Sequence, residues 1–201
     1  MTTEQIQQLK QIIKQQDQVV EMWLNYWREY SNWEDWHFWF IVLMLIVPLI
    51  IIYFLIDKKR AFHIGFFGFN IHVWFTYSDA LATRTAHVIY PYQAIPILPV
   101  NFALDASLVP ISFMLLYQWC LKHDKSILIY GIILSAILSF IFKPVLSLLN
   151  LIQLDKGMNF FYLFLNYILI LLFTIGITYI FKHLNQKAKK LSDFYILRKQ
   201  L

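Results

Sequence analysis

Residues 38–56, 106–121, 126–142 and 157–181 form long, strongly apolar runs with no Asp, Glu, Lys or Arg. Nothing else in the sequence limits the fold so severely. Lipid offers no partner to a backbone N–H or C=O, so a crossing segment must satisfy its own, and roughly 20 mostly apolar residues in a helix do that. Composition agrees. The chain is 59% apolar and 14% charged, where a soluble domain carries about 25% charge. An all-α, multi-pass membrane protein follows.

The expected architecture is a five-helix transmembrane bundle. The first span is read at about 37–56. Trp33, Trp36 and Trp39 gather at its start like an interfacial aromatic belt, and Asp57-Lys58-Lys59-Arg60 closes it. The second, about 61–79, is the least apolar. His63, Asn70 and His72 require it to face the bundle, and Gly65 and Gly68 permit a close neighbour. If this segment fails to cross, the count drops to four. The third, fourth and fifth spans are read at about 104–121, 126–148 and 159–181. Gly131, Ser135 and Ser139 form a small-residue stripe along the fourth. Pro91, Pro96 and Pro99 break up residues 80–104, so a proline-rich, irregular loop packed on protein is expected between helices 2 and 3. The chain thus divides into an amphipathic Trp-rich N-terminal helix (1–36), the transmembrane domain (37–182) and a basic cytoplasmic amphipathic tail (183–201).

In the leader, Ile6, Leu9, Ile13, Gln16, Val20, Trp23, Trp27 and Tyr30 fall on alternating steps of three and four. That pattern fits a helix lying on the membrane with its Trp end among headgroups, or a coiled-coil seam for a partner or second copy. In the tail, Leu184, Leu191, Phe194, Tyr195 and Leu201 can enter the headgroups while lysines meet anionic lipid. The net charge is +5, but no motif directs it to nucleic acid. Its distribution gives orientation instead. Three basic residues lie at Lys58–Arg60, two at Lys122 and Lys125, and six between Lys182 and Lys199, eleven of the 17 in all. The positive-inside rule then places the C-terminus in the cytoplasm and, with five spans, the N-terminus outside. The first 35 residues are polar and amphipathic, so no cleavable signal peptide is expected.

Ionisable residues at membrane depth are the candidates for function. Asp79 lies 18 residues beyond Ala61, Lys143 18 residues beyond Lys125, and Asp105 16 residues before Leu121. At about 1.5 Å of rise per residue, all three reach one level near the outer edge of the hydrocarbon. Arg84, His87, Tyr90 and Tyr92 of the loop join them there. In one reading Asp79, Arg84, His87, Tyr90, Tyr92, Asp105 and Lys143 form a partly buried polar site. In the other, Lys143 snorkels to the headgroups and the aspartates are ordinary helix ends. His63 and His72 sit on opposite sides of one helix, and no His, Cys or acidic spacing matches a metal site. No cofactor-binding motif is present either. Cys120 is the one cysteine, which rules out an intrachain disulfide.

One arrangement is shared with a known family. A Trp-rich leader precedes a span ending Asp57-Lys58-Lys59-Arg60; Asp79, Tyr90-Pro91-Tyr92, Asp105, Pro110 and Tyr117-Gln118 follow, then Lys143-Pro144. Over residues 20–180 the chain resembles the small five-span membrane proteins of endospore-forming Firmicutes known by a clostridial locus-tag name. It departs at Ile89, where many members carry Trp or His, and at Lys143, where they often carry an acid. The resemblance implies location and lineage, with a sporulation role implied by host range. The function expected from the sequence is that of a non-enzymatic structural or accessory subunit of a membrane assembly. The alternatives are an outer-leaflet lipid or isoprenoid binder or enzyme, and a small transporter.

Overall fold

The structure, a computed structural model, describes the backbone of residues 1–199 and the side chains of residues 1–185. The chain is mostly helical: α1 (Thr3–Tyr30), α2 (Trp36–Leu55), α3 (Ala61–Arg84), α4 (Leu104–Lys122), α5 (Ile127–Leu148) and α6 (Phe160–Lys199). Four segments are long and apolar enough to cross a membrane: Trp36–Leu55, Leu104–Lys122, Ile127–Leu148 and Phe160–Asn185. The expected second span is a helix of 24 residues, about 36 Å long. Its polar side chains keep it out of that apolar group. It also runs past Asp79 to Arg84, so the irregular loop starts later than residue 80.

The helices alternate in direction, and hydrogen bonds show which ends meet. At one end Gln118 of α4 clamps the α2–α3 turn. Its Oε1 accepts from Asp57 N at 2.7 Å and its Nε2 donates to Leu55 O at 2.9 Å. At the other end Val88–Ile89 (β1) pairs antiparallel with Gln153–Leu154 (β2), joining two loops. Sequence gave no sign of these two short strands, which are too short for a strand pattern.

Packing follows the sequence stripe. α3 buries Ile64, Phe67, Gly68, Ile71, Phe75 and Asp79, spaced three and four apart, and packs on α4 and α6. Gly68 is required: a Cβ there would lie 2.2 Å from Met114 Cγ. Gly65, expected to do the same, faces open space instead. Gly131, Ser135 and Ser139 are all buried, with Gly131 against Leu171 of α6. The leader is different, for no residue of α1 is buried. α6 runs as one helix through the expected boundary at 182/183. The remaining tail positions, including Leu191, Phe194, Tyr195 and Leu201, lie outside the described side chains.

Candidate functional site

Two prolines shape the site. Each follows one π-helical turn: Leu104–Leu108 before Pro110 in α4, and Leu138–Phe142 before Pro144 in α5. In the first, Val109 N–H reaches back five residues to Leu104 O. Pro110 has no N–H, so the Asp105 carbonyl loses its partner along the helix. His72 of α3 supplies one, with Nδ1 at 2.7 Å. A carbonyl only accepts, so Nδ1 carries the proton. The second π turn leads directly into Lys143. Such turns recur at functional sites because they re-aim side chains. Here they set an acid and an amine toward the same interior point.

Asp79, Tyr90, Asp105 and Lys143 meet there, each buried: 7%, 2%, 1% and 2% exposed. Tyr90 is the hinge of the group. Its hydroxyl donates to Asp79 Oδ1 at 2.7 Å and accepts from Lys143 Nζ at 3.4 Å. The other Asp79 oxygen accepts from Asn101 N at 3.2 Å. Among the described residues the acid–base pairs in direct contact are Asp35–His37 and Asp57–Arg60, so Lys143 reaches Asp79 through the phenol. The ammonium also lies 5.5 Å from the centre of the Tyr90 ring and 5.9 Å from that of Phe75, a cation–π setting. Asp105 is odder. Both of its carboxyl oxygens are buried and accept nothing, and its carboxyl neighbours that of Asp79. Two carboxylates and one ammonium sum to −1. A net charge of this kind is costly to bury.

The snorkelling reading of Lys143 fails, because the side chain points inward. Not every expected member belongs to the group. Arg84 is exposed on the last turn of α3. Tyr92 stacks instead on His37 at the start of α2, with ring centres 3.8 Å apart. It ties the loop to the start of α2 rather than to the cluster. His87 stands between: its ring is 2.8 Å from Thr85 Oγ1 and lines the cavity beside the cluster.

That cavity, about 420 Å³, lies between the C-terminal end of α3 and the N-terminal end of α6. Asp79, Lys143 and Tyr167 form its polar floor, and Phe75, Leu163 and Met158 its apolar wall. Leu81 and Tyr162 line it as well and are exposed, which puts a mouth on the lateral surface. The spare capacity at the floor is mainly donors. Lys143 has three N–H groups and one partner, and the buried Tyr167 hydroxyl has none.

Asn101 and Tyr167 were missed in the sequence. Asn101 carried a signal, since its Oδ1 accepts from Leu104 N at 3.2 Å as a helix cap would. Tyr167 gave none; it is one aromatic among many in an apolar span. Among the described residues no three His, Cys, Asp or Glu are placed to hold a metal ion. The chain matches no protein-family model, and no curated protein or solved structure resembles it significantly.

Proposed function

We propose that the chain binds the polar end of an amphiphile, a lipid or isoprenoid, drawn from the outer leaflet of the cell membrane. The carrying observation is the cavity: apolar walls, a lateral mouth, and a floor of unfilled donors backed by the Lys143–Tyr90–Asp79 row. Unfilled donors select an acceptor, so a phosphate, carboxyl, ester or hydroxyl oxygen is the head that fits. The reading includes topology. All five helices α2 to α6 cross, with the N-terminus outside, the C-terminus in the cytoplasm and the cavity at outer-leaflet depth. The alternation of α3 with its neighbours and the basic residues at the Gln118 end support this.

Native mass spectrometry of the protein released from nanodiscs tests the binding. Wild type should retain an amphiphile that Ala82→Trp, which fills the cavity without touching the charged row, loses. Equal retention by both proteins would sink the reading. A membrane-impermeant maleimide tests the topology: cysteines placed at Glu34 and Lys156 should label in intact cells, and those at Lys58 and Asp124 should not.

A second reading, an accessory subunit of a membrane assembly, draws on the uncovered α1. Membership of the endospore-former family, and with it a sporulation role, is proposed on the resemblance alone.

A further inference from the structure

We propose that α1 pairs antiparallel with α1 of a second copy, through the seam from Ile6 to Trp23. This is independent of the ligand-binding reading. A 28-residue helix with no buried residue lacks the tertiary packing that stabilises most helices in water. Its seam is plainly apolar: Ile6, Leu9, Ile13 and Trp23 are 36% to 50% exposed. Something of matching shape should cover it.

Charge argues against a lipid surface alone. α1 carries Lys10, Lys14 and Arg28 against Glu4, Asp17, Glu21 and Glu29. Three positive and four negative groups give −1, which anionic headgroups do not attract. The same charges fit a second copy. With Ile6, Ile13 and Val20 as a positions and Leu9, Gln16 and Trp23 as d, Lys10 and Asp17 occupy e positions. In an antiparallel pair e faces e. Stacking each a on a d of the partner, residue 6 on 23, 9 on 20 and 13 on 16, sets Lys10 beside Asp17 of the partner helix, twice by symmetry. A parallel pair faces g with e, which sets Asp17 against Ile12 and Lys10 against Gln5 and gains no charge match.

The register has a second support. Sliding the helices by one heptad would use the full seam to Tyr30, but would oppose Asp17 to Asp17. The chosen register stops at Trp23. That is where the seam is still free, because Trp27 already donates through Nε1 to Gln93 O at 2.8 Å and packs on Trp33 and Phe38 of its own chain. In one membrane the two-fold axis follows the bilayer normal, so the paired leaders lie along the surface. Confinement to the membrane raises the effective concentration that so short a seam needs.

Disulfide trapping in native membranes tests this in the full chain, with Cys120→Ser as background. Differently tagged Leu9→Cys and Val20→Cys chains are co-expressed and oxidised. The expected result is a mixed dimer, with little Leu9→Cys homodimer, since those two positions lie about 16 Å apart along the antiparallel pair. A dominant Leu9→Cys homodimer means a parallel pair and overturns the proposal. Absence of any dimer means that lipid or another protein covers the seam, and overturns it too. Lys10→Asp or Asp17→Lys alone should slow trapping roughly threefold to tenfold, and the two together should restore it. Singles that trap at the wild-type rate would refute the register.

Discussion

The two ends of the bundle are built on different principles. The end that carries Gln118 and the short basic turns is regular. Its helices run unbroken, Phe67 stacks on Tyr117 with ring centres 4.1 Å apart, and small residues let neighbours close in. The opposite end holds both π turns, the proline-rich loop, the paired strands and the buried charges. Water does not drive helices together within lipid, so the regular end must hold by shape and a few backbone hydrogen bonds. The irregular end instead buries charged groups, which are costly to take out of water. One end therefore reads as scaffold and the other as site, and substitutions on each side should behave accordingly.

The largest effect is expected at Lys143. Lys143→Met leaves two neighbouring buried carboxyls without their cation, and removing one partner of such a group costs about 3–5 kcal/mol. Asp105→Asn should cost far less, under about 1 kcal/mol, because its oxygens accept no hydrogen bond and its removal makes the remaining pair neutral. Reversible denaturation in mixed micelles reads both. Equal losses would mean that the cluster is held by shape and not by charge.

Next comes the scaffold end. Gly68→Ala forces a Cβ onto the Met114 side chain and should destabilise by about 1–3 kcal/mol. Gly65→Ala meets nothing within 4 Å and should be neutral or slightly stabilising through helix propensity. Gln118→Leu removes two hydrogen bonds to the α2–α3 turn, for a loss of about 1–2 kcal/mol. None of the three should alter amphiphile retention, scored per folded molecule. If Gln118→Leu abolishes retention, the ends are coupled and the division between them is wrong.

How far this division could be read from sequence depends on the kind of signal. The apolar runs and the segregated charges marked three of the four most apolar helices within one residue at each end, and the last at its start but not at its end, because hydrocarbon thickness sets span length. Helix rise alone put Asp79, Asp105 and Lys143 at one depth. Rise gives height, however, and not azimuth. Lys143 turns inward directly after the π turn at Leu138–Phe142, a feature no sequence pattern announced, while Arg84 turns out on the last turn of α3. Tyr92 sat beside Tyr90 in a conspicuous motif, yet adjacent loop residues point to different neighbours, one to Asp79 and one to His37. The strand pairing that positions this loop spans two residues on each side, too few for any periodicity.

Among the site residues, the smallest predicted change in stability is also the most informative. The Tyr167 hydroxyl is buried and has no partner, while its ring packs on Phe75 with centres 5.1 Å apart. Tyr167→Phe keeps the ring and deletes the unsatisfied group. Removing a buried donor that has no partner returns its desolvation cost, so the protein should be unchanged or more stable by up to about 1 kcal/mol. If the hydroxyl is there to meet an acceptor on a bound amphiphile, retention should fall in the same variant, by roughly threefold to tenfold for one lost hydrogen bond. Stability and binding would then move in opposite directions at a single atom, as they do where a protein keeps a poor packing group for the sake of a ligand. A Phe variant that is less stable by more than about 1 kcal/mol would show that the hydroxyl has a structural partner. The site would then lose one of the two donors on which the choice of an accepting head group rests.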